Sequence, residues 1–409
     1  MLKKTKKIVI AGHVDHGKST LIGRLLLDTN SLPAARLSEI EKIARESGKD
    51  LELAFLVDQL KEERRRKMTI DTTQTNFKWK EKNYTLIDAP GHKELIKNML
   101  TGASMAESAI LIIDAQQGLK EQTRRHAYLI KMLGIKQLIV VLNKMDLLDY
   151  RFKDFKKLNA RLLSFLKALG IRPYCVIPLS AKEGENIVSL SKRMPWYRGE
   201  FLLQALDNMQ PAQKEGKKPL RFCVQDTYQS GKEKIILGKV LSGSIKKNQR
   251  AVVMPSFKKI KIKAIRVYKE KRARAAAGES IGLIIRPALH IRRGGIISHP
   301  ASPLMPRHKF NSRIFWLSAK PLRTQRHAFL RILAQEACCS VEKITQRINS
   351  TTLAMLAKES KELRLNEVAQ VSWETKQPLL MENFSFIEEL GRFVVESKNS
   401  LLGIGIITE

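Results

Sequence analysis

The sequence predicts an α/β domain, with a mainly parallel sheet and helices on both of its faces, followed by two small β-barrel domains. As far as about residue 207, short apolar runs alternate with longer amphipathic stretches, a pattern typical of parallel strands connected by helices. After about residue 220, apolar residues recur with a period of two between turns rich in Gly, Ser and Asn, as in small β-barrels. A chain of 409 residues also exceeds the size of a single hydrophobic core.

The domain boundaries are predicted from two proline-containing segments. Residues 210–219 are polar, contain two prolines and lack periodicity, which is typical of a linker. Residues 300–306 contain three prolines and indicate a second boundary. We therefore expect the α/β domain at residues 1–209, the linker at 210–219, and β-barrels at 220–300 and 301–409.

Individual elements follow from the same patterns. In the first domain we expect strands at 8–11, 84–88, 109–114, 137–143 and 175–179, and helices at 18–27, 94–104, 120–133 and 154–169. In the second we expect strands at 235–241, 249–254 and 259–268. Lysines alternate with Ile260 and Ile262, which predicts a strand with one buried and one solvated face. The third domain is expected to be mostly strands, with a helix-compatible stretch at 340–346.

The charge is strongly basic, and the excess lies mid-chain. The formal net charge is +34, and residues 201–350 carry 31 Lys and Arg against 8 Asp and Glu, whereas residues 351–409 carry 6 against 9. Such a region can hold nucleic acid or an acidic protein surface, or it can have no specific partner. The charge alone leaves these three alternatives open.

The chain shows no pattern of a membrane or secreted protein. No run of 18 or more apolar residues occurs, and the basic N-terminus leads directly into the first predicted strand. The four cysteines match neither a metal-binding spacing nor a disulfide framework. We therefore expect a cytoplasmic location and no membrane partner.

A phosphate-binding loop lies between the first predicted strand and helix. Residues 12–19 fit the pattern G-x-x-x-x-G-K-[ST]. Backbone N–H groups of the loop and the helix N-terminus are expected to meet the β-phosphate, Lys18 to reach the β and γ oxygens, and the Ser19 hydroxyl to bind Mg²⁺. The expected phosphate-binding residues here are Gly12, His13, Val14, Asp15, His16, Gly17, Lys18, Ser19 and Thr20.

The tetrapeptide Asn143, Lys144, Met145 and Asp146 predicts a guanine pocket rather than an adenine pocket. The Asp146 carboxylate can accept hydrogen bonds from N1–H and from the 2-amino group of guanine, and adenine offers neither donor there. Asn143 is expected to brace the phosphate loop, and the Lys144 stem to lie along the base. A backbone N–H of the segment Ser180, Ala181 and Lys182 is expected to meet guanine O6.

A γ-phosphate sensor is predicted at Asp88, Ala89, Pro90, Gly91 and His92, directly after a strand. Asp88 is expected to hold Mg²⁺ through water, Gly91 to donate its N–H to the γ-phosphate, and His92 to orient the attacking water as the catalytic residue. Thr69 is the candidate for a second hydroxyl on Mg²⁺. Together these motifs predict a magnesium-dependent GTPase with a P-loop.

These residues carry a family resemblance. Residues 12–20, 88–104 and 143–146 resemble the translational GTPase superfamily around elongation factor Tu and elongation factor 1-alpha. Within it, residues 121–126, 133–136 and 194–197 look most like the GTPase subunit, subunit 1, of bacterial sulfate adenylyltransferase, and residues 315–318 and 401–407 extend that likeness towards the end of the chain. Lys67 departs from the family, which usually has glycine there.

The resemblance implies two leading functions. As a subunit of sulfate adenylyltransferase, a nucleotidyltransferase of sulfate assimilation, the chain would form a heterodimer with a smaller catalytic subunit. GTP hydrolysis would then drive the synthesis of adenosine 5'-phosphosulfate from ATP and sulfate on that partner. As a factor of the elongation factor 1-alpha kind, it would bind tRNA or the ribosome through its basic middle region. A regulatory GTPase with another protein partner is the third alternative.

Overall fold

The computed structural model describes residues 5–32, 74–88, 108–209, 218–231, 233–267, 270–397 and 400–408. The chain divides into two compact units, residues 1–212 and 213–409, and each is described by itself. None of the described helices is both long and apolar enough to cross a membrane.

The first unit contains one sheet with helices connecting its strands. Its strands are β1 Lys6–Gly12, β2 Gln74–Trp79, β3 Lys82–Asp88, β4 Ser108–Asp114, β5 Gln137–Asn143 and β6 Cys175–Pro178. Its helices are α1 Lys18–Asp28, α2 Glu121–Met132, α3 Phe152–Ala168 and α4 Leu202–Asn208, with a 3₁₀ turn at Met145–Leu148. The predicted elements that fall on described residues agree with the observed ones to within two residues at each end. Strand β2 and helix α4 were not predicted, and the helix predicted at 94–104 lies outside the described residues.

The strand order explains where a ligand can bind. The sheet runs β2, β3, β1, β4, β5, β6, and only β2 is antiparallel to its neighbour. The chain leaves β1 at its carboxyl end and returns to the sheet on both sides of it, at β3 and at β4. In open α/β sheets, the crevice at such a switch point is where ligands bind. Gly12, Asp88, Asp114 and Asn143 all end strands on this edge.

Burial explains why these apolar runs form a parallel sheet. All seven residues of β4 are buried, which is expected for a strand covered by helices on both faces. The core below the crevice contains apolar side chains of β1, α1, β4, β5 and β6, among them Ile8, Leu21, Ile110 and Ile139, none of which is exposed. A rigid core of this kind holds the strand ends, and the loops that follow them, in fixed positions.

The second unit is made of antiparallel strands in two successive barrels. The first barrel closes through the pairing of β10 with β11, and the second through the pairing of β18 with β19. The strands are β7 Arg221–Ser230, β8 Glu233–Ser242, β9 Ser244–Lys246, β10 Arg250–Met254, β11 Lys258–Val267, β12 Glu270–Arg272, β13 Arg274–Ala276, β14 Ser280–Arg286, β15 Ile296–Ser298, β16 Pro306–Trp316, β17 Leu322–Arg323, β18 His327–Ile332, β19 Gln335–Asn349, β20 Met355–Ser360, β21 Glu362–Leu363, β22 Glu367–Leu380, β23 Arg392–Ser397 and β24 Ser400–Ile407.

The predicted fold class is confirmed: a mainly parallel α/β domain precedes antiparallel barrels. The lysine face of β11 is also confirmed, because Ile260 and Ile262 are buried between exposed lysines. The prediction of a helix-compatible stretch at 340–346 was wrong. These residues lie in β19, where Val341 and Ile344 are buried and pair with β22, so tertiary packing overrides local helix propensity there. The domain boundaries at 209, 219 and 300 stay predictions.

Contacts inside the second unit join its two barrels. Arg221 on β7 is almost fully buried and forms an ion pair with Glu382, with 2.9 Å between Nη2 and Oε1. The same guanidinium donates to the carbonyl oxygen of Ser302 at 2.7 Å. A small apolar cluster that includes Met254 and Leu390 accompanies this pair.

Candidate nucleotide-binding site

The loop between β1 and α1 has a backbone that requires glycine at two places. A Cβ on Gly12 would lie 2.5 Å from the carbonyl oxygen of Ile112 on β4. Gly17 has a φ of 90°, and a Cβ there would run into the side-chain amide nitrogen of Asn143. Asp15 also has a left-handed φ, of 64°. The two glycines therefore let the loop pack closely against its neighbours and turn sharply into α1.

Lys18 is the first residue of α1, and its side chain folds back over this loop. The Nζ atom donates to the carbonyl oxygens of Gly12 at 2.9 Å and His13 at 2.8 Å. Ser19 and Thr20 follow in the first turn and are half-buried, at the end of the helix where the macrodipole favours anions. The loop, the lysine and the helix start thus have the arrangement that phosphate binding requires.

Asn143 connects the phosphate loop to a second loop. Its Nδ2 donates to the carbonyl oxygen of His16 at 2.9 Å, and its Oδ1 accepts from the N–H of Ala181 at 2.9 Å. Only 2% of Asn143 is exposed. Because both hydrogen bonds are buried, the loop that contains residues 180–182 is held at a fixed distance from the phosphate loop.

The neighbours of Asn143 present a carboxylate to the same edge of the sheet. Lys144 has a left-handed φ of 65°, which turns the chain into the 3₁₀ turn that carries Asp146. The Oδ1 atom of Asp146 is buried and accepts no hydrogen bond from any residue that the structure describes. A buried acceptor without a donor is costly, and a ligand with two adjacent N–H donors, such as guanine, fits this requirement.

Asp114, at the end of β4, fixes the lysine stem. Its Oδ2 lies 2.9 Å from Nζ of Lys144. Burial alone raises the pKa of Asp114, but hydrogen bonds from Lys144 and from the N–H groups of Gln117 and Gln116 outweigh it and lower the pKa overall. Asp114 was not predicted as a site residue, and in the sequence only its position at a strand end could have indicated it.

The loop at 180–182 has a second anchor that sequence reasoning also missed. Arg24 of α1 donates from Nε to the carbonyl oxygen of Ala181 at 3.2 Å, and from Nη2 to the carbonyl oxygen of Lys182. Ser180 is fully buried and Ala181 nearly so. The sequence around Arg24 does not indicate such a contact, because Arg24 and Ala181 are 157 positions apart in the chain.

Two histidines lie in the phosphate loop. His16 is fully buried, and Nδ1 lies 3.3 Å from the carbonyl oxygen of Ile112. Burial lowers its pKa to about 4, so the imidazole is neutral at physiological pH. His13 donates from Nδ1 to the side-chain oxygen of Gln122 at the start of α2. Gln122 is thus a further neighbour of the loop that the sequence did not reveal.

The predicted sensor is described only in part. Asp88 ends β3, is almost fully buried, and pairs in register with Ile10 of β1. It therefore lies on the same edge as the phosphate loop. The predicted roles of Thr69, Ala89, Pro90, Gly91 and His92 fall on residues outside those that the structure describes and stay predictions.

Three family models match successive parts of this chain. Residues 3–212 match the family model for the elongation factor Tu GTP binding domain, residues 233–298 that for elongation factor Tu domain 2, and residues 309–408 the model described as GTP-eEF1A C-terminal domain-like. The resemblance to a GTPase subunit of sulfate adenylyltransferase finds no support in any of these models.

Curated relatives match over the whole chain. Elongation factor 1-alpha of Pyrococcus furiosus is 35% identical, over 98% of this chain and 96% of the relative. Elongation factor 1-alpha of Ignicoccus hospitalis is 35% identical, over 100% and 97%. The match to the crystal structure of sup35 complexed with GDP covers 100% of this chain and 94% of that chain at 25% identity, with a TM-score of 0.47. On the family models and the curated relatives, the chain belongs to the translational GTPases of the elongation factor Tu and elongation factor 1-alpha family.

Proposed function

We propose that this protein is a GTP-hydrolysing factor of the elongation factor 1-alpha kind, which binds RNA of the translation apparatus in one nucleotide state and releases it in the other. The observation that carries the proposal is the hydrogen-bonded bridge from His16 through Asn143 to Ala181, because it joins a phosphate-binding loop to a base-reading loop. The family assignment supports the same conclusion.

Guanine recognition is assigned to Asp146 and to the loop at 180–182. The buried Oδ1 of Asp146 needs a donor, and the N1–H and 2-amino group of guanine supply two on one edge of the base. Adenine would leave the carboxylate unsatisfied, at a cost of about 1–3 kcal/mol or more for a charged group. Lys144, held by Asp114, is expected to cover one face of the base, and Met145, which is fully buried, to support the turn.

Phosphate and metal binding are assigned to the loop and to the side-chain oxygens of three residues. Lys18 already points its ammonium into the loop, where contacts with the carbonyl oxygens of Gly12 and His13 can be exchanged for contacts with phosphate oxygens. Ser19 and Thr69 would bind Mg²⁺ directly and Asp88 through water. The metal would neutralise charge on the β- and γ-phosphates as the terminal phosphoryl group is transferred to water.

Hydrolysis is assigned to His92, which would orient the attacking water, with the N–H of Gly91 on the γ-phosphate. His16 is no alternative base, since its whole imidazole is buried, including Nε2, the ring nitrogen that stays unprotonated when Nδ1 donates to the carbonyl oxygen of Ile112. Replacement of His92 by alanine should therefore slow hydrolysis by orders of magnitude and leave GTP affinity nearly unchanged.

The basic second unit is the part proposed to bind RNA. Residues 220–300 carry 19 Lys and Arg against 4 Asp and Glu. On the outer face of the first barrel, Arg250, Lys261 and Arg286 are exposed and lie directly opposite one another on β10, β11 and β14. Like charges opposite each other destabilise a sheet slightly, so a polyanion on this face would relieve a cost that the free protein bears.

The second candidate function is the GTP-driven subunit of sulfate adenylyltransferase, which rests on the resemblance carried by residues 121–126, 133–136, 194–197, 315–318 and 401–407. One experiment separates the two. The purified chain is mixed with aminoacyl-tRNA in the presence of GTP or GDP, and separately with ATP, radioactive sulfate and a small adenylyltransferase subunit. GTP-dependent, salt-sensitive tRNA binding supports the proposal. GTP-dependent formation of adenosine 5'-phosphosulfate without tRNA binding would replace it by the second candidate.

A further inference from the structure

Arg24 lies two turns into α1, the helix that begins at the phosphate loop, and its guanidinium reaches the base-reading loop. Nε and Nη2 hold two successive carbonyl oxygens, those of Ala181 and Lys182. The guanidinium also packs on Gly184, where an added Cβ would lie 3.7 Å from Cζ. Two donors in one rigid plane match two neighbouring carbonyls, which a lysine ammonium cannot do in the same way.

The orientation of Arg24 is itself constrained. Asp28 lies one turn further along α1, with its Oδ1 3.6 Å from Nη1 of Arg24. The side chains of Arg24 and Asp28 are only 21% and 16% exposed, so solvent screens this pair less than a surface pair. The guanidinium is therefore held from both sides, by the helix and by the loop.

The peptide units of the loop are fixed one after another. The N–H of Ala181 is held by Asn143, and the carbonyl oxygen of Ser180 accepts from Gly184 and Glu185 at 2.9 and 3.1 Å. The N–H of Glu183 donates to the Ser180 hydroxyl at 3.2 Å. The remaining unit contains the carbonyl of Ala181 and the N–H of Lys182. In a planar trans peptide these two groups point in opposite directions, so the grip of Arg24 on the carbonyl sets the direction of the N–H.

We propose that Arg24 is a positioning residue for base recognition: by holding the carbonyls of Ala181 and Lys182, it aims the backbone N–H of Lys182 at O6 of guanine. Three hydrogen bonds connect α1 back to its own N-terminus: Arg24 donates to Ala181, Ala181 donates to Asn143, and Asn143 donates to His16 in the loop before the helix. These hydrogen bonds therefore connect the loop that binds phosphate to the loop that recognises O6. This inference rests on the guanine pocket proposed above.

The test compares nucleotides that differ at one edge of the base. Dissociation constants of GDP, 6-thio-GDP and IDP are measured for the full-length wild type and for Arg24→Met and Arg24→Lys. Sulfur at position 6 weakens the acceptor that faces Lys182, whereas IDP lacks the amino group that faces Asp146. Arg161→Met serves as the matched control, because Arg161 is an exposed arginine on a different helix, α3.

We expect the wild type to prefer GDP over 6-thio-GDP by about fivefold or more, since one hydrogen bond contributes about 1 kcal/mol. Arg24→Met should lose most of this preference and keep the preference for GDP over IDP. Arg24→Lys should fall between the two, and Arg161→Met should match the wild type.

Two results would overturn the inference. An unchanged ratio of GDP to 6-thio-GDP in Arg24→Met would show that Arg24 does not aim the loop. An equal weakening of all three nucleotides, with both ratios intact, would show a general structural role only. Failure of the proposed function would give a different result, because the wild type itself would then show no preference for guanine over the other bases. In that case the inference about Arg24 would also be wrong.

Discussion

Replacement of Asn143 by alanine tests the bridge between the two nucleotide-binding loops. The side chain makes two buried hydrogen bonds of 2.9 Å, to the carbonyl oxygen of His16 and from the N–H of Ala181. Truncation leaves both backbone groups without this partner, and a buried polar group left unsatisfied costs about 1–3 kcal/mol. Water entering the site recovers part of this, so we take about 3 kcal/mol for the pair.

The cost should appear in nucleotide binding more than in unfolding. Without a nucleotide the two loops can relax towards water, whereas a bound guanine nucleotide needs them at their original separation. A loss of about 3 kcal/mol corresponds to GDP binding about 150-fold weaker. Isothermal titration calorimetry measures the dissociation constant of GDP for the variant, and thermal denaturation confirms that the variant is folded.

Asn208→Ala is the matched control, because Asn208 is exposed and its side-chain amide donates to the carboxylate of Glu200, away from both nucleotide-binding loops. This control should bind GDP as the wild type does. A dissociation constant for Asn143→Ala within twofold of the wild-type value would refute the reasoning, since the bridge would then not hold the loops in their binding geometry.

Three further predictions concern base choice, pH and the second unit. Asp146→Asn should shift the preference from guanine to xanthine nucleotides, because an amide can donate to the 2-oxo group; unchanged base preference in a competition assay would mean that the pocket is misassigned. His16 has its pKa lowered by burial from 6.5 to about 4, so the unfolded chain binds more protons between these pH values and the free energy of unfolding falls as pH decreases through that window, by up to about 3 kcal/mol. His16→Gln should remove that part of the pH dependence in chemical denaturation, and an identical slope would argue against a neutral buried imidazole. Glu382→Gln leaves the nearly buried Arg221 without its carboxylate and should destabilise the second unit by about 3 kcal/mol, whereas Glu359→Gln, at a carboxylate that is 70% exposed, should change the thermal midpoint little.

The strands and helices around the site were largely predictable from the sequence. Strand β5 was predicted at 137–143 and is observed at Gln137–Asn143, because seven mostly β-branched or apolar residues between polar flanks permit little else. The phosphate loop was predictable for a similar reason, since the glycines at 12 and 17 occupy positions where a side chain would clash with β4 or Asn143.

The supporting contacts were not predictable. Arg24, Asp114 and Gln122 act on the site through contacts with residues that are distant in sequence, and no local pattern marks an arginine that will hold two carbonyls. The stretch at 340–346 was misjudged because its burial is decided by the neighbouring strand β22 and not by its own propensity. The preference for sulfate adenylyltransferase relied on five short segments, whereas the two curated relatives named above, which match over nearly the full chain, are elongation factors.

The central claim is that this site reads a guanine nucleotide, and the affinities of the purified wild-type chain for GDP and ADP test it most directly. Asp146 would be left buried and unsatisfied by adenine, and O6 would be missing for the loop at 180–182. The account predicts that GDP binds at least about 100-fold more tightly than ADP, which corresponds to about 2.8 kcal/mol. Equal affinities for GDP and ADP would contradict it.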